Sequence, residues 1–158
     1  MTFDSRAFRN ALGQFATGVC VITTQPKGFK PFGMTVNSFS SVSLDPPLVL
    51  WSLQNNSECY EAFQVADKFC VNILSADQKD ISGLYAKKGD HDLDESHYRI
   101  GRSGNPVLRG ALASFECTMW NRYDGGDHII LVGKVEEFST NPNAKPLAFY
   151  AGQYRELR

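Results

Sequence analysis

The chain has 158 residues, of which 42% are apolar and 21% charged, and its formal net charge is −1. That length supports a single domain, 1–158, with its own core. The near-neutral balance excludes the basic field that nucleic acid or an anionic membrane surface would need. The N-terminal MTFDSRAFRNAL carries Asp4 and no long apolar core, and no apolar run reaches a spanning length, so neither a signal peptide nor a membrane segment is expected and the cytoplasm is the expected address. Cys20, Cys59, Cys70 and Cys117 lie far apart with no CxxC pair, which reads as free buried thiols rather than disulfides or zinc ligands.

In chain order, Phe8, Leu12 and Phe15 recur at helical spacing behind Asp4 or Ser5 as N-cap, predicting an amphipathic helix from Phe3 to Phe15 that ends near Thr17-Gly18. Val19 to Thr24, VCVITT, is a β-branched strand, and a turn-rich connection leads from it to Gly33. The stretch Gly33 to Leu53 is the most unusual in the chain. Thr35, Asn37, Ser38, Ser40, Ser41 and Ser43 crowd ahead of Asp45-Pro46-Pro47, and LVLWSL then reads as a strand buried on both faces. Such hydroxyl-rich backbone suits a planar polar group or a phosphate laid along it; an ordinary Ser-rich edge strand is the alternative.

Ser57-Glu58 reads as a helix start, with Tyr60, Phe63 and Val65 or Ala66 as the buried stripe. Phe69 to Leu74 is a short apolar strand, and Ser75 to Gln78 fits a capping box opening a helix through Ile81 and Leu84. Lys87 to Gly104 is charged and unpatterned and holds His91 and His97; it is expected to be a mobile loop and a candidate lid. From Leu112 to Tyr123 the alternation of Ala113, Phe115, Cys117 and Met119 with Ser114, Glu116 and Thr118 predicts a half-exposed strand. Asp124-Gly-Gly-Asp127 is a hairpin turn and His128 to Phe138 its return strand. With about six strands, two or three helices and no βαβ alternation, the expected fold is mainly β: an antiparallel barrel with peripheral helices.

Several chemistries lack their signatures. His91 and His97 have no HExxH or two-His, two-Cys context, so no metal site is expected. Neither a GxSxG elbow, a P-loop nor a strand-led GxGxxG is present. His128 differs from the other histidines, because it opens a strand directly after a Gly-Gly turn and belongs at a barrel rim, where ligands are reached. Tyr150 and Tyr154 either pack in the core or stack on a ring.

FATGVCVITT (Phe15 to Thr24), GMTVNSFSSVSLDPPLVL (Gly33 to Leu50), NSECYEAF (Asn56 to Phe63), FCVNIL, GNPVLRGALASFEC (Gly104 to Cys117) and GGDHIILVGKV (Gly125 to Val135) occur in register. Together they resemble the short-chain NAD(P)H:flavin oxidoreductases, which include the reductase components of two-component flavin-dependent monooxygenases. The resemblance implies a dimeric split β-barrel binding FMN or FAD at its rim. Thr35, Val36, Asn37 and Ser38 would line the isoalloxazine, and Ser52, Leu53, Gln54 and Ser57 would hold the ribityl chain and phosphate. Tyr85, Ala86 and Lys88 match a segment that approaches the flavin, although the family more often has Phe-Ala and a more distant basic residue there. His128 matches a His that contacts the nicotinamide nucleotide of NADH or NADPH, and Tyr154 an aromatic residue that closes over it. The implied activity is hydride transfer from the nicotinamide to flavin, with reduced flavin supplied to a partner monooxygenase. Two rival readings keep the fold: a pyridoxamine-phosphate-oxidase-like enzyme or tightly bound flavin electron carrier, and a non-catalytic flavin-binding module, which would have no use for His128.

Overall fold

The computed structural model describes residues 2–158. Helix α1 spans Ser5–Leu12, opened by the Asp4 carboxylate accepting from Arg6 and Ala7 N–H. It is shorter than its apolar spacing predicts: it stops at Gly13, its C-cap, and Thr17–Gly18 forms strand β1. Its apolar side is also uncovered: Phe8, Leu12 and the following Phe15 are exposed, since no helix or strand among the described residues packs over them.

Strands β2 (Cys20–Thr24), β3 (Phe32–Val36), β4 (Ser40–Leu44) and β5 (Pro47–Gln54) follow, then helix α2 (Tyr60–Val65), strand β6 (Lys68–Ile73) and helix α3 (Lys79–Ala86). Short strands β7 (Tyr98–Ile100) and β8 (Pro106–Leu108) precede the long hairpin β9 (Ala113–Gly125) and β10 (His128–Thr140), and β11 (Ala148–Tyr150) and β12 (Gln153–Arg155) end the chain. The protein is mainly β, as expected, with twice the expected number of strands. Most of the surplus are two- and three-residue pieces too short to leave a periodic signal.

Seven strands form one antiparallel sheet, ordered β3-β2-β6-β9-β10-β5-β4. Its two end strands, β3 and β4, do not pair, so the ladder is open rather than a closed barrel. Residues from distant strands nonetheless share one core: the Phe63 ring of α2 meets Phe32 of β3 edge-on at 5.3 Å and Trp51 of β5 at 4.8 Å. Tight packing is visible at Gly133 on β10, where a Cβ would lie 2.5 Å from the Phe69 ring. A second apolar cluster, with Val19, Val21, Leu74 and Tyr85, lies between the sheet and α3.

The structure corrects several expectations. LVLWSL is not buried on both faces: Val49, Trp51 and Leu53 enter the core while Leu50 and Ser52 are half-buried, Ser52 facing an open cleft. Nor is β9 simply half-exposed. Ser114 and Glu116 are buried, because the Gly101–Leu108 segment folds over them; Ser103 N–H and Oγ both donate to Glu116, and Ser114 Oγ donates to Asn72. The Lys87 to Gly104 stretch is no free lid. Asp92 bridges to Phe32, Gly33 N–H donates to His91 C=O and Leu93 N–H to Pro31 C=O, which stitches the segment to the start of β3. The helix expected from Ser57 begins at Tyr60; Ser57 sits in the preceding turn, its hydroxyl accepting from Cys59 N–H at 3.1 Å. Ala62 and Phe63 form its buried side, with Ala66 buried just past its end, while Tyr60 is half-buried and Val65 exposed.

Other expectations hold. Ser75 and Gln78 make the capping box, Ser75 N–H donating to Gln78 Oε1 at 3.0 Å. The β9–β10 turn is Gly126-Asp127, with His128 paired to Gly125. All four cysteines are free and buried. No helix among the described residues is long and apolar enough to cross a membrane.

Candidate functional site

The hydroxyl-rich stretch forms one wall of a cleft of about 430 Å³. β3 brings Met34, Thr35 and Val36 to it, and the link to β4 brings Asn37 and Ser38. β5 supplies Ser52 and Gln54, because strand alternation turns them away from the core that takes Leu53. The turn after β5 adds Asn56, Ser57 and Glu58, and the segment after α3 adds Lys88 and His91, with Ala86 at the helix end. His128 closes the rim, set opposite Gln54 by the β10–β5 register.

Besides that of Ser57, two of the cleft hydroxyls are engaged by the fold. Thr35 Oγ1 donates to Ser82 C=O at 2.7 Å, pinning β3 to α3, so Thr35 offers the cleft its methyl group and backbone. Ser38 Oγ accepts from Ser52 N–H at 2.9 Å and donates to Ser52 C=O at 3.2 Å, fastening the β3–β4 link to β5 beyond the point where β4 pairing ends. At the rim, His128 Nδ1 lies 2.7 Å from Asp127 Oδ1, which fixes the ring and leaves Nε2 as the nitrogen able to meet a ligand. The hydrogen bond from His128 holds the exposed Asp127 carboxyl below the usual carboxylate range.

Three expected site residues are not among those lining this cleft. Leu53 is buried in the core at 1% exposure, and because Ser52 N–H and C=O both face Ser38, those of Leu53 face β10. Tyr85 is equally buried: its hydroxyl accepts from Asp94 N–H at 3.1 Å and lies 2.7 Å from His97 Nδ1, clamping the Asp94–His97 turn to α3. Burial pushes its phenol above the ordinary tyrosine range. Tyr154 lines an adjoining hollow of about 220 Å³ that shares Thr35, Val36, Asn37 and Ala86 with the cleft, with its hydroxyl 2.6 Å from Ser82 Oγ and its ring edge-on to Phe149.

The cleft has the size of a small-molecule site, and its lining combines apolar Met34 and Val36 with amide, hydroxyl and ammonium groups. This donor set fits a flat heteroaromatic ring carrying a polar, anionic tail.

Residues 12–158 match the sequence pattern described as "Flavin reductase like domain". The chain belongs to the flavin reductase-like family. Among this family's members, the FMN reductase (NADH) SmoA of Agrobacterium fabrum is 47% identical over 152 residues, covering 96% of this chain and 85% of the relative. The reductase subunit HsaB of a Mycobacterium tuberculosis flavin-dependent monooxygenase is 40% identical over 96% of this chain and 81% of its own. The NADH:FAD oxidoreductase SgcE6 of Streptomyces globisporus, solved in complex with NAD and FAD fragments, superposes with a TM-score of 0.91 at 33% identity, covering 100% of this chain and 97% of that one. The chain spans about half the length of some other curated relatives.

Within this flavin reductase-like chain, sequence reasoning missed Met34, Asn56, Glu58 and His91 as cleft residues. Met34 and Asn56 are neighbours of residues it named. His91 was legible only through Leu93, an apolar residue in a charged stretch, whose burial draws the segment against β3.

Proposed function

We propose that this chain is an NAD(P)H:flavin oxidoreductase, a single split-barrel domain that holds FMN or FAD in the Thr35–His128 cleft and uses NADH or NADPH as hydride donor. The observation that carries the reading is convergence. Thr35, Val36, Asn37, Ser38, Ser52, Gln54, Ser57, Ala86, Lys88 and His128 come from five separate parts of the chain, and all line one cleft.

A bound flavin supplies the chemistry, since its ring takes up a hydride without needing a protein nucleophile. The chain's own task is to position and to shield. Met34 and Val36 give an apolar face for a ring, and the Asn37 carboxamide and Ser52 and Gln54 offer hydrogen bonds along its edge. Ser57 and Lys88 suit a phosphate, the lysine as a point charge on a mobile stem. His128, steadied by Asp127, stands where a nicotinamide nucleotide would enter.

Assembly as a homodimer is part of the proposal. It is supported by the exposed Phe8, Leu12 and Phe15 and by a hollow of about 760 Å³ between α1 and the β11–β12 turn that opens beside Asn37 and Ser38. The HsaB likeness supports a partner flavin-dependent monooxygenase receiving the reduced flavin. Four free thiols fit a reducing, cytoplasmic compartment.

The test is oxidation of NADH and of NADPH, followed by nicotinamide absorbance, with FMN, FAD, riboflavin or no added flavin. Turnover that requires added flavin is expected. Protein that binds flavin but oxidises neither nucleotide would refute the reductase reading, and turnover without added flavin would point to a tightly held electron carrier.

A further inference from the structure

We propose that Glu58 weakens the cleft's hold on the phosphate end of its flavin, and that His91 is a positioning residue that keeps Glu58 in check. The inference rests on the flavin reading of the cleft given above.

Among the residues lining the cleft, Glu58 is the sole carboxylate, and it stands between Ser57 and the segment carrying Lys88, where a phosphate would sit. A cleft shaped only to grip an anion would not place a carboxylate there, because two like charges at such range repel through a partly aqueous medium. Glu58 is also not free to swing. Its Oε2 accepts from Gly89 N–H at 2.7 Å and lies 3.6 Å from His91 Nε2. The His91 ring is itself fixed, with its side chain 16% exposed and Nδ1 3.1 Å from Gly33 C=O. That carbonyl can only accept, so Nδ1 carries the proton and Nε2 faces Glu58, a contact that becomes an ion pair in the imidazolium form. Gly89 N–H, and His91 in its imidazolium form, therefore hold the carboxylate against the α3–β7 segment and offset part of its charge. A reductase that must surrender its flavin gains from such a residue, since a weaker grip on the phosphate speeds release.

This effect acts on charge, so it separates FMN from riboflavin, which shares the ring and lacks the phosphate. The experiment is a parallel fluorescence titration of both flavins into the full chain and its Glu58→Gln, His91→Gln and double variants, at low and high salt. Glutamine keeps the acceptor for Gly89 N–H, which favours correct folding of the first variant. Glu58→Gln is expected to lower the FMN Kd about three- to tenfold at low salt, less at high salt, with riboflavin essentially unmoved. His91→Gln should raise the FMN Kd, and the double variant should follow Glu58→Gln. An unchanged FMN Kd in Glu58→Gln, or equal shifts for both flavins in either single variant, would overturn the inference. Wild-type protein that binds neither flavin would instead overturn the flavin reading of the cleft.

Discussion

Ser38→Ala separates two roles that the sequence cannot distinguish. Read as a ligand contact, Ser38 matters only when flavin is bound. In the structure its hydroxyl makes two hydrogen bonds to the Ser52 backbone, at 2.9 and 3.2 Å, and so holds the β3–β4 link to β5 whether or not a ligand is present. Alanine removes both while adding no bulk. At roughly 0.5–1.5 kcal/mol net per bond, the loss is about 1–3 kcal/mol. For a chain of this length that lowers Tm by about 2–4 °C per kcal/mol, so a fall of about 5 °C is expected. The assay is thermal unfolding by circular dichroism without flavin, paired with flavin titration. Flavin affinity should fall too, because the released link carries Asn37. A flavin-free Tm within about 1 °C of wild type, with affinity reduced, would show that Ser38 is a ligand contact alone and refute the pinning argument.

His128→Ala should raise the KM for NADH with a smaller effect on flavin affinity; an unchanged KM in steady-state kinetics would remove His128 from the nucleotide site. In the same variant the Asp127 carboxyl, released from its hydrogen bond, should titrate at higher pH, which NMR can follow. Asn72→Ala should be among the most destabilising single changes. The fully buried Asn72 donates to Val21 C=O and Thr23 Oγ1 and accepts from Leu108 N–H and Ser114 Oγ, all at 3.0 Å, so its loss should cost roughly 3–5 kcal/mol by denaturant unfolding. The cysteines should resist alkylation in native protein at pH 8. Burial pushes the Cys20 and Cys117 thiols up to about 12 and Cys59 to about 11, so the reactive thiolate forms only well above that pH. Rapid labelling of folded protein would contradict this.

The order of the elements, the hairpin at Gly126, the capping box at Ser75 and the cleft-lining hydroxyl stretch all follow from local rules: backbone freedom, side-chain capping and period-two alternation. Those rules act between near neighbours in the chain and need no knowledge of the fold. The family motifs carried the reading further, and most of the residues they named do meet in one cleft. Tertiary structure alone decided which face of each element is covered. Ser114 and Glu116 alternate as if solvated, but the Gly101–Leu108 segment buries them. The apolar side of α1 reads as core and stands exposed. Leu53 and Tyr85 belong to motif segments that border the site, yet strand alternation and the His97 contact turn both side chains inward. His91 and Glu58, more than thirty positions apart, meet because Leu93 is buried beside β3 and carries the charged segment with it. Periodicity reports that a face is apolar or polar. What lies over that face is set by segments distant in sequence, and only the folded chain brings them there.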